Sequence, residues 1–279
     1  MCMFSGPVKV SATRIAALLS GDGRQQFTAY EMEFDQPAPL SREQVLLGLG
    51  RQGVAMILPA PWKQGDAPVK MVDMSAIDDF FDKLETLIDK PRYRGGGGSR
   101  GLSFGTDGFL EVLDVGNFSV SIAYTLEDIA RANPDVFSLS EDAAKTLRAN
   151  YSEGFAFIIC ALRKSGKIHP IGYIHDAASG ALFVPTRHEH GGEGLPEWDH
   201  TIYATTATRA AADAVNTSDG YLNFHPGYAT GEDSYSYTRR TWETLVAAIP
   251  ELAPFANIRP VAKFEMEGKF ANTDFHPVA

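Results

Sequence analysis

Cysteine is nearly absent: Cys2 and Cys160 are the only two among 279 residues. Two thiols in a chain of this size are not a disulfide framework, which agrees with a reducing compartment. Basic charge is in deficit too, with 25 Lys and Arg against 35 Asp and Glu, a formal net charge of −10 with neutral histidines. A surface of that sign repels phosphate backbones and no basic stripe offsets it, so nucleic acid is not an expected partner. Long apolar runs are missing; Gly154 to Leu162 is far too short to span a bilayer. The start, Met-Cys-Met-Phe-Ser-Gly-Pro, has no basic region followed by an apolar one, so no secretory leader is expected. These absences together predict a soluble, cytoplasmic protein with no membrane partner. What remains is ordinary globular composition, 44% hydrophobic and 22% charged, in a chain long enough to hold a core without crosslinks.

Apolar periodicity divides the chain into short elements. Residues 7–19 and Gln26 to Phe34 flank Ser20-Gly-Asp-Gly23 and read as a hairpin. Ser41 is placed to cap a short helix. Val54 to Leu58 reads as a buried strand ended by Pro59 and Pro61. The clearest helix runs from Ser75 to Asp89, where Ile77, Phe80, Phe81, Leu84, Leu87 and Ile88 form one stripe. Ser75 caps it, acids fill its first turn and Pro91 ends it. Residues 92–101 contain four consecutive glycines and are expected to form a flexible loop. They lack the preceding strand, the following helix and the Lys-Ser/Thr end of a phosphate-cradling loop.

Further on, Phe109 to Leu113 and Phe118 to Tyr124 alternate like paired strands, and Thr125 and Ser140 each open a helix. Gly154 to Leu162 is a continuous apolar strand, with its partner expected in Ile168 to Ile174. Thr201 to Thr206 is β-rich, and Ala207 to Val215 suits a short helix. Asn216 to Ser236 reads as loop, Thr238 to Ile249 as an amphipathic helix stopped by Pro250, and Val261 to Met266 as an edge strand. About eight to ten short, mainly antiparallel strands in β-rich mixed sheets, with four or five peripheral helices, argue an α+β fold. Strands occur at similar density on both sides of the glycine loop, so one domain over residues 1–279 is expected.

The densest polar stretch is Leu182 to His200, with three of the seven histidines. If the chain stays extended through it, His188 and His190 share a face and can converge on one cation. Neutral imidazole suits zinc or copper, and Glu193, Asp199 or His200 could complete the ligand set. On that reading the site is a transition-metal centre on His188, His190, Glu193 and His200, and it could be catalytic. The bland alternative is a loop of solvated histidines paired with nearby acids. A second candidate is Cys2. Removal of the initiator methionine would leave its thiol beside its own α-amino group, the arrangement of an N-terminal-nucleophile amide hydrolase, with Arg14 as the nearby arginine. A third option joins the two candidates: Met1, Cys2 and Met3 are soft sulfur ligands that would suit Cu(I), together with His188 or His190. A Ser-His-Asp hydrolase has little support: Gly97-Gly-Ser-Arg-Gly101 has the form of a Gly-x-Ser-x-Gly elbow but lacks the strand before it and the helix after it, and His175-Asp176 and Asp199-His200 are no more than sequence neighbours. The tyrosine-rich residues 221–237 could line a cleft for a small-molecule or peptide ligand, and an acidic, non-catalytic interaction protein is the third reading.

Two resemblances bear on these readings. His188-x-His190-x-x-Glu193 is similar to the first metal motif of cupin barrels, with the carboxylate a residue or two early, and Asn223-Phe-His-Pro-Gly227 is a loose counterpart of their second motif. Across residues 1–205 the pattern Cys2-Met-Phe-Ser, Thr13-Arg-Ile, Ala55-Met-Ile-Leu-Pro59, Leu182-Phe-Val-Pro-Thr-Arg-His-Glu-His and Asp199-His-Thr-Ile-Tyr203 resembles a family of bacterial proteins that carries no established activity. That resemblance implies a shared fold, and it pairs an N-terminal cysteine with a His-x-His segment. Its spatial consequence is that Cys2 lies near His188 or His190.

Overall fold

The computed structural model describes residues 2–4, 9–35, 55–88, 109–116, 118–132, 139, 141–162, 166–167, 169–177, 181–189, 197–205, 217–225, 242–256, 261–270 and 272–275. Among them fourteen strands form two sheets. The first sheet has the order β11-β1-β4-β8-β7-β6. It is built from β1 (Cys2–Phe4), β4 (Ala55–Pro61), β6 (Leu113–Val115), β7 (Phe118–Ala123), β8 (Phe155–Leu162) and β11 (His188–Glu189). The second runs β13-β14-β12-β2-β3-β10-β5. Its strands are β2 (Lys9–Leu19), β3 (Gln25–Asp35), β5 (Lys70–Val72), β10 (Ile171–Asp176), β12 (Glu197–Thr205), β13 (Thr217–His225) and β14 (Val261–Phe270), with β9 (Gly166–Lys167) paired to β3. The helices are α1 (Phe80–Ile88), α2 (Leu126–Ile129), α3 (Glu141–Asn150) and α4 at 242–248. Mixed sheets of short, mostly antiparallel strands with peripheral helices make the fold α+β.

Alternation along each strand sorts side chains into layers. Ile15, Ala17, Tyr30 and Tyr173 of the second sheet pack against Met56, Leu58, Phe118 and Ile158 of the first, forming the core between the sheets. Ala16, Leu18, Phe27 and Ala29 face the other way and are covered by Phe80, Phe81 and Leu84 of α1 and by Trp242 and Leu245 of α4. On the far side, Ile57, Phe157 and Ile159 are covered by Ile129 of α2 and by Ala143 and Leu147 of α3. The layering is helix, sheet, sheet, helix.

The β2–β3 hairpin forms around Ser20 to Arg24, where Gly23 has φ +71° and the Asp22 carboxylate accepts from the Ser20 hydroxyl. Thr125 caps α2 by accepting the Asp128 amide at 3.1 Å. Several expectations need correction. Pro59 and Pro61 lie inside β4, opposite Phe157 and Phe155 of β8. The ladder to β1 on the other side reaches only Ile57, so a missing N–H beyond that point costs no pairing there. Ile171 to Asp176 pairs with β3 and β5, while β8 pairs with β4 and β7; the chain changes sheets after β8. The helix expected from Ser75 starts as a 3-10 turn (Ser75–Ile77) and becomes α-helical at Phe80, and the Asp73 carboxylate accepts the Ser75 amide. The strand expected over Phe109 to Leu113 forms at Leu113–Val115 instead. Thr217–His225 is a strand, not a loop: Tyr221-Leu-Asn-Phe224 outweighs the turn-forming Ser218-Asp-Gly220. It pairs with β14, so Val261–Phe270 is an interior strand and not an edge. The helices expected after Ser41 and over 207–215, and the glycine loop, lie outside the described residues, as does Ser140.

Candidate functional site

Strand β1 has three residues and sits between two partners. It runs antiparallel to β4, with Met3 opposite Ile57, and parallel to β11, with Cys2 opposite His188 and Met3 opposite Glu189. Neighbouring strands lie ~4.8 Å apart, so the backbones of Cys2 and His188 are adjacent although the sequence separates them widely. The side chains of these two residues are not described, and His190 and Glu193 lie outside the described residues altogether.

The segment that delivers His188 is held by side chains more than by a ladder. Val184 and Phe275 form an isolated antiparallel bridge, with N–H to carbonyl distances of 3.0 and 3.2 Å. The Gln26 amide stands in for a strand: its Oε1 accepts from the Phe183 N–H at 2.9 Å, and its Nε2 donates to the Phe183 carbonyl at 2.6 Å. Thr186 Oγ1 donates to the Thr273 carbonyl at 3.0 Å and accepts from the Phe275 amide at 2.8 Å. Asp274 completes the arrangement. Its Oδ1 accepts the backbone amides of Thr186 and Arg187, both at 3.1 Å, and its Oδ2 accepts the Tyr151 hydroxyl and lies 3.9 Å from Arg187 Nε. Burial, and then the Asp274 carboxylate, raise the Tyr151 phenol well above its usual range. Neither Gln26 nor Asp274 stood out in the sequence. Each lies far along the chain from the segment that it holds, and neither belongs to a motif.

The other candidates are distributed elsewhere. His200 is buried on β12, its ring 5.0 Å from that of Trp198, opposite Thr13 on β2 and Met266 on β14. Among the described residues no group of three His, Cys, Asp or Glu could hold a metal ion. Arg14 belongs to the second sheet, whereas Cys2 belongs to the first. Its Nε donates to Glu31 Oε1 at 2.6 Å and its Nη1 to Asp82 Oδ1 at 2.7 Å, under α1 and on the face turned away from the inter-sheet core. Burial pulls the guanidinium pKa down, and Asp82 and Glu31 more than reverse that pull. Thus Cys2 and His188 are brought side by side, while Arg14 is occupied on the opposite face of the other sheet. The neighbouring-residue pairs form no triad either. His175 Nδ1 meets the Asp176 carbonyl at 2.9 Å while the Asp176 carboxylate accepts the Ala67 amide, and Asp199 accepts the Ala12 amide. Cys160 is fully buried on β8 and burial pushes its thiol up.

No protein-family model matches the chain. The fold is similar to the crystal structure of baculovirus P35, at 9% sequence identity and a TM-score of 0.50 over 100% of both chains. It is also similar to a mutated baculovirus P35 after caspase cleavage, at 10% identity and a TM-score of 0.42 over 97% of this chain and 98% of that one. A third solved structure is the caspase-8/P35 complex, at 12% identity and a TM-score of 0.36 over 79% and 75%. At such identities the likeness is one of fold.

Proposed function

We propose that this chain is a non-catalytic binding protein whose partner is a protease of the caspase class. The observation that supports this reading is the end-to-end likeness of its fold to baculovirus P35, a protein solved also in a caspase-cleaved form and with caspase-8. A fold hosts many functions, so the class of partner rests on experiment. Purified chain is titrated into caspase-8 and other caspase-class proteases while cleavage of a fluorogenic peptide is followed. The expected result is activity falling in proportion to added chain, with a complex that survives gel filtration. Undiminished activity and no co-elution across the panel overturns the reading. A soluble, cytoplasmic protein belongs to the same proposal and rests on the sparse cysteines and the lack of long apolar runs.

A second reading is favoured by the register of β1 with β11: a transition-metal site, zinc or copper, in which Cys2 and His188 are joined by His190 and Glu193. Thiolate and imidazole both suit these ions. Native and denaturing intact mass with each metal added should show one adduct that the His188→Ala, His190→Ala double variant loses. No adduct with either metal ends this reading. An amide hydrolase built on Cys2 has weaker support, because its arginine, Arg14, is committed to Glu31 and Asp82.

A further inference from the structure

Thr273, Asp274 and Phe275 follow β14 and lie on a seat that other parts of the chain build. Val184 offers a strand edge: its N–H donates to the Phe275 carbonyl at 3.0 Å, and its carbonyl accepts the Phe275 N–H at 3.2 Å. Thr186 Oγ1 meets the backbone on both sides of the acid, through the Thr273 carbonyl at 3.0 Å and the Phe275 amide at 2.8 Å. The successive amides of Thr186 and Arg187 donate to one Asp274 oxygen, both at 3.1 Å. The Tyr151 hydroxyl donates to the other oxygen, and Arg187 Nε lies 3.9 Å from it. Phe264 receives the Phe275 ring, with ring centres 5.0 Å apart and Phe275 7% exposed. Strand addition, capture of a carboxylate by consecutive backbone amides and burial of one aromatic anchor are general modes of peptide recognition.

The seat does not depend on its occupant. Gln26 clamps both backbone groups of Phe183, at 2.9 and 2.6 Å, so the strand that carries Val184 and Thr186 keeps its place on the second sheet. Tyr151 is fixed by its amide bond to the Leu147 carbonyl, at the end of α3, and by the ring of Phe155. Phe264 is paired within β14 to Ile202 and to Phe224. The occupant, by contrast, adds an isolated bridge of one residue pair. So short a pairing opens locally far more readily than the sheets around it.

We propose that this seat is a peptide-recognition site for an extended partner segment carrying an aspartate followed by an aromatic residue, and that Thr273-Asp274-Phe275 is its resident, autoinhibitory occupant. The partner's chemistry follows from the segment seated there: the amides, Tyr151 and Arg187 select the acid, Phe264 selects the ring, and Val184 and Thr186 require an extended backbone. The site is independent of the caspase-class reading and of the β1–β11 neighbourhood.

The test uses the full chain and a fluorescein-labelled peptide with the sequence of residues 271–279, Ala-Asn-Thr-Asp-Phe-His-Pro-Val-Ala, with binding followed by fluorescence anisotropy. The Asp274→Ala, Phe275→Ala double variant releases its own segment and should bind the probe. The wild-type chain should bind it at least about tenfold more weakly, because its own segment competes at an effective concentration on the order of millimolar. Asp274→Ala or Phe275→Ala made in the probe should each weaken binding by about tenfold or more, the loss of a charge-assisted contact or of a buried anchor. Adding Arg187→Ala to the double variant should weaken it as well. A folded double variant that ignores the probe, or that binds the altered probes equally well, overturns the proposal. Should the double variant not fold, hydrogen exchange in the wild-type chain decides: the Phe275 amide should exchange at least about tenfold faster than that of Phe264. Matching rates would make the segment a fixed part of the fold and overturn the proposal. A concentration-dependent dimer of the wild-type chain that the double variant loses would assign the seat to a second copy's segment, and overturns the partner reading too.

Discussion

The two outer faces of the sandwich do the same job with different chemistry. The face under α2 and α3 is apolar throughout its buried cluster, with Ala55, Ile57, Phe157 and Ile159 meeting Ile129, Ala143 and Leu147. The face under α1 is apolar in one half only, where Phe27, Ala29 and Tyr203 meet Phe80, Phe81 and Leu84. Its other half is ionic. Arg14 joins Glu31 to Asp82, and Lys263 joins Glu85 to Glu265, with the Tyr203 hydroxyl also on Glu85. The Arg14 guanidinium also lies 5.2 Å from the centre of the Phe81 ring, which lets the two halves meet at one residue. Apolar contacts reward any close fit, whereas ion pairs reward one placement of the helix. The comparison teaches that α1 is held by its aromatic stripe and registered by its charges.

The strongest way to break that division is to take the guanidinium away from a buried carboxylate. Glu31 is 3% exposed, so Arg14→Ala should destabilise the fold by about 3–5 kcal/mol in urea titration. Replacing both partners, Arg14→Met with Glu31→Leu, should recover most of the loss, because an apolar pair of similar volume is often neutral or better. A double variant as unstable as the single would show that the pair itself stabilises the fold. Leu147→Ala on the apolar face should cost about 2–5 kcal/mol through its cavity, and no second substitution of charge can rescue it. The contrast lies in the rescue more than in the size.

The inter-sheet core supplies a pH test that neither cover should share. His175 is buried, and desolvation lowers its pKa to about 4, only partly offset by the Asp176 carbonyl. Its unfolded value is ~6.5. Above that value both states are neutral and the stability is fully present. As pH falls towards 4 only the unfolded chain takes the proton, so stability should drop by on the order of 3 kcal/mol and then level off. Urea midpoints measured from pH 7 to pH 4 check this, and His175→Phe should flatten that window. An unchanged slope in the variant would assign the loss to other groups.

How much of this was legible in the sequence differs between the faces for a physical reason. The α1 stripe announces itself at helical spacing, and Thr125 announces a cap, because both signals are local. The β2–β3 hairpin is local as well. By contrast Arg14 reads as a candidate for catalysis from its position after Cys2, and only pairing shows that it faces Glu31 across the hairpin and Asp82 on α1. Its partners lie 17 and 68 residues away. The same limit hid Asp274 from the His188 stretch and sent β10 to the wrong partner, since a strand pattern states that a strand exists and not which sheet receives it. The Cys2–His188 neighbourhood was reached differently, through a family resemblance that pairs the two motifs, and the register of β1 with β11 agrees with it.

The smallest expected effects separate the covers at their starts. α2 begins with a neutral cap, the Thr125 hydroxyl accepting from Asp128. The 3-10 turn leading into α1 has no side-chain cap at its N-cap Met74; just before it a charged acceptor, the Asp73 carboxylate, accepts the Ser75 amide at 2.9 Å. Thr125→Ala should cost about 1 kcal/mol, the usual loss of a capping acceptor, and Asp73→Ala about 1 kcal/mol, the usual net loss of one hydrogen bond. Salt distinguishes them. An exposed carboxylate at the start of a helix gains from the local dipole, and that gain is screened within about one Debye length. The cost of Asp73→Ala should therefore shrink between low salt and 1 M, while that of Thr125→Ala stays constant. Equal salt dependence in the two variants would mean that the ionic character of the α1 cover ends at Arg14 and Lys263 and does not reach the turn that leads into the helix.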